Sequence, residues 1–193
     1  MSGAIRINAA QELYSALQEL KKINPERKII IIGFSHGGNI ALSLQQINMK
    51  ENNPSFHIDL LILLATPIGK ISEINANTNF FSQIINFYSL QDYYQISDLF
   101  FNFPYTKRFF NNNKNVINID VRYYKKKNNK IEVIYPGHRH FGYITVTNEL
   151  PSFLTILPDI LNKIKKNYEI KNRNNIIITI NLERNFKIKI KKK

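Results

Sequence analysis

Four consecutive isoleucines, residues 29–32, run without a break into the turn Gly33-Phe34-Ser35-His36-Gly37. An unbroken β-branched run predicts a strand over 28–33 that is buried on both faces, because a strand with one wet face alternates apolar and polar residues. Strands of that kind belong to parallel sheets covered by helices. After the turn, Ile40, Ala41, Leu44 and Ile47 recur at helical spacing and predict a helix over 38–49. A buried strand that passes directly into a helix needs a sharp backbone reversal, and Gly33 and Gly37 are the residues expected to let the chain approach itself there.

The rest of the chain repeats this alternation. Residues 4–23 predict an amphipathic helix, with Ile7, Ala10, Leu13, Leu17 and Leu20 on one face, ended by Asn24-Pro25. Apolar strands are predicted over 58–65, 84–90 and 116–123. A charged turn over 125–130 leads to a strand over 131–135, and a closing helix is predicted over 150–166. Strands separated by helices or long crossovers define an α/β class with a mostly parallel sheet flanked by helices. At 193 residues, 44% of them hydrophobic, the chain suits one such domain.

Charge and cysteine content narrow the function. The net charge is +13, but residues 161–193 hold eleven Lys or Arg against two Glu, a net of +9, leaving +4 for the rest. The positive charge is therefore a property of the tail. Two units follow, a body over 1–168 and a basic extension over 169–193 rich in Lys, Ile and Asn, in which 175–182 and 185–190 have strand-like composition and suggest an appended hairpin or a frayed extension. Deleting the extension is expected to leave the fold intact and to weaken retention on anionic surfaces. Weak contact with anionic membranes is the partner expected of it, and no specific nucleic acid is expected. With no cysteine, disulfides, thiol nucleophiles and Cys-based metal sites are excluded. The first ten residues have no signal-peptide pattern and no run approaches the ~20 apolar residues that span a bilayer. A cytoplasmic protein is the expectation.

The turn itself carries chemistry. A serine on a strained strand-to-helix turn projects its hydroxyl from the strand end. The next backbone amide, at the start of a helix, is placed to stabilise an oxyanion. Ser35 is thus the candidate nucleophile and the His36 amide the candidate oxyanion donor. Gly-Phe-Ser-His-Gly-Gly-Asn (33–39) resembles the nucleophile elbow of lipase- and esterase-type α/β-hydrolases. Ser2-Gly3, Arg6, Ala9-Ala10 and Leu13 resemble the helix before that elbow, and Leu64-Ala65-Thr66-Pro67 is similar to the strand end after it. The resemblance covers residues 2–165 and implies a serine hydrolase of carboxylic esters, with a lipid or other acyl ester as substrate and no cofactor or metal. It also implies strands upstream of the first helix, so the sheet is expected to be truncated at its N-terminal side.

Within such a family the triad follows the chain order serine, acid, histidine. Of the five aspartates, Asp92 stands just past a predicted strand end, where open α/β sheets place catalytic groups, and Asp98 is the fallback. The segment 88–92 also resembles the acid-bearing segment of lipases. His57 precedes the acid, which leaves His138 and His140. His140 is taken as the base because His140 to Ile144 resembles the histidine loop of small lipases, with Gly142 turning that loop; His138 is the alternative. Eight aromatics between residues 93 and 110 form an insert expected either to cap a substrate pocket or to pack on the sheet. The competing reading of the chain is an inactive remnant that binds anionic surfaces.

Overall fold

The computed structural model describes residues 3–51, 56–96, 107–111, 113–127, 130–146, 176–181 and 189–192, together with residues 155, 158, 159 and 162. Its centre is one sheet. Strand β1 (Ile30–Phe34) lies at one edge, followed by β2 (Leu60–Leu64), β3 (Ile84–Tyr88) and β4 (Val116–Lys127), all paired in parallel. Strand β5 (Lys130–Ile134) folds back antiparallel on the far end of β4, from Tyr123 to Lys127. The fold class is α/β, with a parallel sheet flanked by helices.

Residue alternation distributes the core to both faces. Leu61, Leu63, Ile84 and Val116 are buried with Ala10, Tyr14 and Leu17 of helix α1 (Gly3–Ile23) and Ala41, Leu42, Leu44 and Ile47 of helix α2 (His36–Asn48). Their alternates Ile62, Leu64, Ile85, Phe87, Ile117 and Ile119 are buried too. That is why β2 and β3 read as unbroken apolar runs. The stripe of α1 differs from expectation at its end: Leu20 is exposed, whereas Tyr14 is fully buried and its hydroxyl donates to Asn48 Oδ1 at 3.0 Å. A short helix α3 (Lys70–Ala76), not anticipated from the sequence, follows β2.

Helix α4 (His138–Val146) occupies the segment expected to be a loop. Gly142 therefore sits inside a helix, where a Cβ would come 3.3 Å from the ring of Phe34. The closing helix expected over 150–166 lies largely outside the described residues, as do Asp98 and the centre of the aromatic insert. No described helix is long and apolar enough to cross a membrane.

The basic extension supplies two strands to the same sheet. Strand β6 (Ile176–Asn181) pairs in parallel with β4 from Ile119 to Tyr124, and β7 (Lys189–Lys192) pairs antiparallel with β6 at the margin. Lysines on a margin strand discourage pairing with a further chain. Truncation after residue 168 strips six ladder positions from β4, so contrary to the expectation from sequence it should lower the melting temperature, by about 5 °C or more. Thermal unfolding of the truncated chain against the full chain checks this; an unchanged midpoint would show the added strands to be dispensable.

Candidate active site

The sheet delivers its chemistry to the carboxyl ends of β1, β2 and β3. Ser35 follows β1 directly. Its amide continues the sheet ladder by donating to the Leu64 carbonyl at 2.9 Å, yet its φ of 51° and ψ of −127° place a non-glycine residue in a strained conformation. Strain of this kind costs on the order of 1–3 kcal/mol and persists only where surrounding contacts hold it. Those contacts are visible. A Cβ on Gly33 would lie 2.6 Å from Gly38 Cα, and one on Gly38 would collide with Thr66 Oγ1 and lie 2.8 Å from Thr66 Cγ2. The turn is therefore a crossing of β1, the first turn of α2 and the chain leaving β2. The residues that permit it are Gly33 and Gly38; a Cβ on Gly37, which the sequence pointed to, would meet nothing within 4 Å.

The chain leaving β2 is itself bent. Ala65 has φ 51°, the second non-glycine residue in the left-handed region among those described. The bend carries Thr66 and Pro67 beneath α2, where the buried Asn39 donates to the Pro67 carbonyl at 3.1 Å and accepts from Ser72 Oγ of α3 at 2.8 Å.

Asp92 lies four residues past β3 and is fully buried. Both carboxylate oxygens are engaged: Oδ1 accepts from the Tyr94 amide at 3.1 Å, and Oδ2 lies 2.9 Å from His138 Nδ1. A carboxylate only accepts, so Nδ1 carries the proton, and the other nitrogen of a neutral ring is an acceptor. That nitrogen, Nε2, lies 2.9 Å from Ser35 Oγ, and the serine hydroxyl donates to it. Ser35, His138 and Asp92 form a continuous chain of hydrogen bonds from three elements 103 and 46 residues apart. The imidazole is 17% exposed and packs on the rings of Phe34 and Tyr94, with centroids at 5.1 and 5.3 Å.

The ring expected to face Ser35 was that of His140, and the structure gives that place to His138. Helix geometry is the reason. His138 and His140 open α4 two residues apart, which is about 200° around the helix axis, so both cannot face the sheet. His138 faces it. His140 is exposed, and its Nδ1 accepts from the Gly137 amide at 3.2 Å, as a side chain in the first turn of a helix does when it reaches back to the residue before it. His36 lies at the first position of α2, so its amide is beside Ser35 at the positive end of the helix dipole.

Further buried polar groups lace the loops of this edge together. Gln95, fully buried, donates to the Thr66 carbonyl at 3.0 Å, and Arg108 Nε donates to the Asp92 carbonyl at 3.1 Å. The backbone from Arg108 to Phe110 is held by two asparagines paired across β3 and β4. Asn86 donates to the Arg108 carbonyl, and Asn118 both donates to the Phe110 carbonyl and accepts from the Phe110 amide. Burying two amides is costly unless they are bonded, and here they satisfy backbone that would otherwise be stranded. The sequence shows Asn86 and Asn118 only as polar interruptions of apolar strands. Beyond this edge, Asp120 and Arg122 pair at 2.6 Å, and burial, then Asp120, raises the Tyr88 hydroxyl well above its ordinary pKa.

No protein-family model, characterised protein or solved structure matches the chain.

Proposed function

We propose that the protein is a serine hydrolase of the α/β-hydrolase type acting on carboxylic esters, lipid or other acyl esters among them. The observation that supports this most is the hydrogen-bonded chain Ser35–His138–Asp92, with both distances at 2.9 Å and the serine on a strained turn at a strand end. A serine hydroxyl is a poor nucleophile until a base takes its proton, and a base works best when its tautomer is fixed. Asp92 fixes the tautomer of His138 and favours the imidazolium that forms.

In the reaction Ser35 Oγ bonds to the ester carbonyl carbon while its proton passes to His138 Nε2. Negative charge gathers on the carbonyl oxygen, where the His36 amide and the N-terminus of α2 oppose it. Collapse breaks the bond to the alcohol oxygen, which takes the proton from Nε2 and leaves. Water, deprotonated by the same nitrogen, then cleaves the acyl-serine and restores the hydroxyl.

A fluorophosphonate probe tests this reading. It should label the folded protein at Ser35, and labelling should disappear in Ser35→Ala. A folded sample that takes up no label would sink the hydrolase reading in favour of an inactive binding protein.

A further inference from the structure

Acylation ends when His138 Nε2 gives its proton to the departing alcohol, so the substituent on that oxygen has to lie beside the imidazole. The acyl chain carries no such requirement, since it stays on the serine. What borders the imidazole therefore selects the alcohol. Among the described residues two aromatic rings do: Phe34, half-buried, and Tyr94, which is 67% exposed.

Tyr94 is an unusual neighbour for a base. Its backbone is rigidly held, since its amide donates to Asp92 Oδ1 and the adjacent Gln95 is fully buried on the Thr66 carbonyl. Its ring, by contrast, is mostly in water, next to Tyr93, whose ring lies 5.8 Å from the Arg108 guanidinium carbon. Packing does not account for a large ring left in water, because apolar area stabilises a fold only when it is removed from solvent. A preorganised aromatic surface facing solvent gains when a flat ligand covers it, and stacked or tilted rings attract beyond the area they bury.

Resting on the hydrolase reading above, the geometry points to Tyr94 as a platform for the leaving group: it stacks on the departing alcohol and makes esters of planar aromatic alcohols the preferred substrates over those of small aliphatic alcohols. Selection acts in acylation, where the acyl–oxygen bond breaks and the neutral alcohol leaves with the proton from His138. Tyr94 is thus a specificity-determining residue, and the chemistry remains with Ser35, His138 and Asp92.

Benzyl and ethyl esters of one acid test this, because kcat/KM covers acylation and intrinsic reactivity cancels when variants are compared. The Tyr94→Ala chain keeps the backbone amide on Asp92, and its benzyl-to-ethyl ratio of kcat/KM should fall about tenfold. Tyr94→Phe should hold the ratio of the unsubstituted protein, since the ring and not the hydroxyl is required. The butyrate-to-acetate ratio for a single alcohol should stay within about twofold in Tyr94→Ala, as the acyl chain lies elsewhere. Turnover that still depends on Ser35, with a benzyl-to-ethyl ratio unmoved in Tyr94→Ala, overturns the platform and spares the hydrolase reading. If no ester is turned over in a manner that depends on Ser35, both fall together.

Discussion

Replacing His138 by Gln is expected to abolish ester turnover, with a loss of about 10⁴-fold or more, whereas His140→Ala should stay within about threefold of the starting rate. The contrast follows from one turn of helix. Nε2 of His138 is the acceptor 2.9 Å from Ser35 Oγ, and no other described side chain is bonded to that hydroxyl, so its loss leaves the serine protonated and unreactive. His140 faces away and bonds the Gly137 amide, so its removal should instead cost about 1 kcal/mol of stability, the usual value of a helix-terminal bond. Steady-state turnover of both variants, with urea unfolding of each, separates the two roles. A large rate loss in His140→Ala alone would reverse the assignment. Ser35→Ala should match His138→Gln in rate and not add to it in the double variant, because members of a nucleophile–base pair act as one unit.

The elbow and the acid could be read from the sequence, and the choice between the two histidines could not. The strand and elbow over 28–37 were legible because four isoleucines have one comfortable environment, a strand covered on both faces, and because a glycine-bracketed serine follows without a spacer. Asp92 stood out because strand β3 ends shortly before it. The histidine depended on the register of a helix that the sequence does not announce: Gly142 suggests a loop, and only the packing of α4 decides which of two neighbouring rings turns inward. The tail was legible in part for a related reason. Strand-like composition over 175–182 and 185–190 does not say where a strand pairs; Ile176–Asn181 takes the edge of β4 opposite β3, so that Ile119 and Asp120 are paired on both sides. Asn86 and Asn118 were invisible as positioning groups, since a polar residue in an apolar run shows its purpose only when the backbone it bonds is in place.

Alanine at Gly33 or Gly38 should destabilise the protein by about 3 kcal/mol or more, while alanine at Gly37 should be neutral or stabilise it by up to about 1 kcal/mol. No described glycine has positive φ, so the requirement at these positions is for space and not for a left-handed backbone. At Gly33 a methyl group would press on Gly38 Cα at 2.6 Å and N at 2.8 Å. Backbone cannot rotate away, so α2 would have to move off β1 as a unit. At Gly38 the obstacle is the side chain of Thr66, itself fully buried. The two sites therefore differ in how they can be rescued. Thr66→Ala removes Oγ1 and Cγ2, the two nearest atoms, and should recover part of the stability lost in Gly38→Ala, but none of that lost in Gly33→Ala. Urea unfolding of the single and double variants reads this directly, and equal losses at Gly37 and Gly38 would show that the crossing does not sit where its geometry puts it. The same displacement should reach the chemistry. Ser35 lies between the two glycines, and a shift of about 1 Å in a reacting group can cost on the order of 100-fold in rate. Surviving Gly38→Ala molecules should therefore turn over esters far more slowly than their folded fraction accounts for, and Thr66→Ala should recover rate and stability together, each in part, because its Cβ remains 2.9 Å from the added methyl.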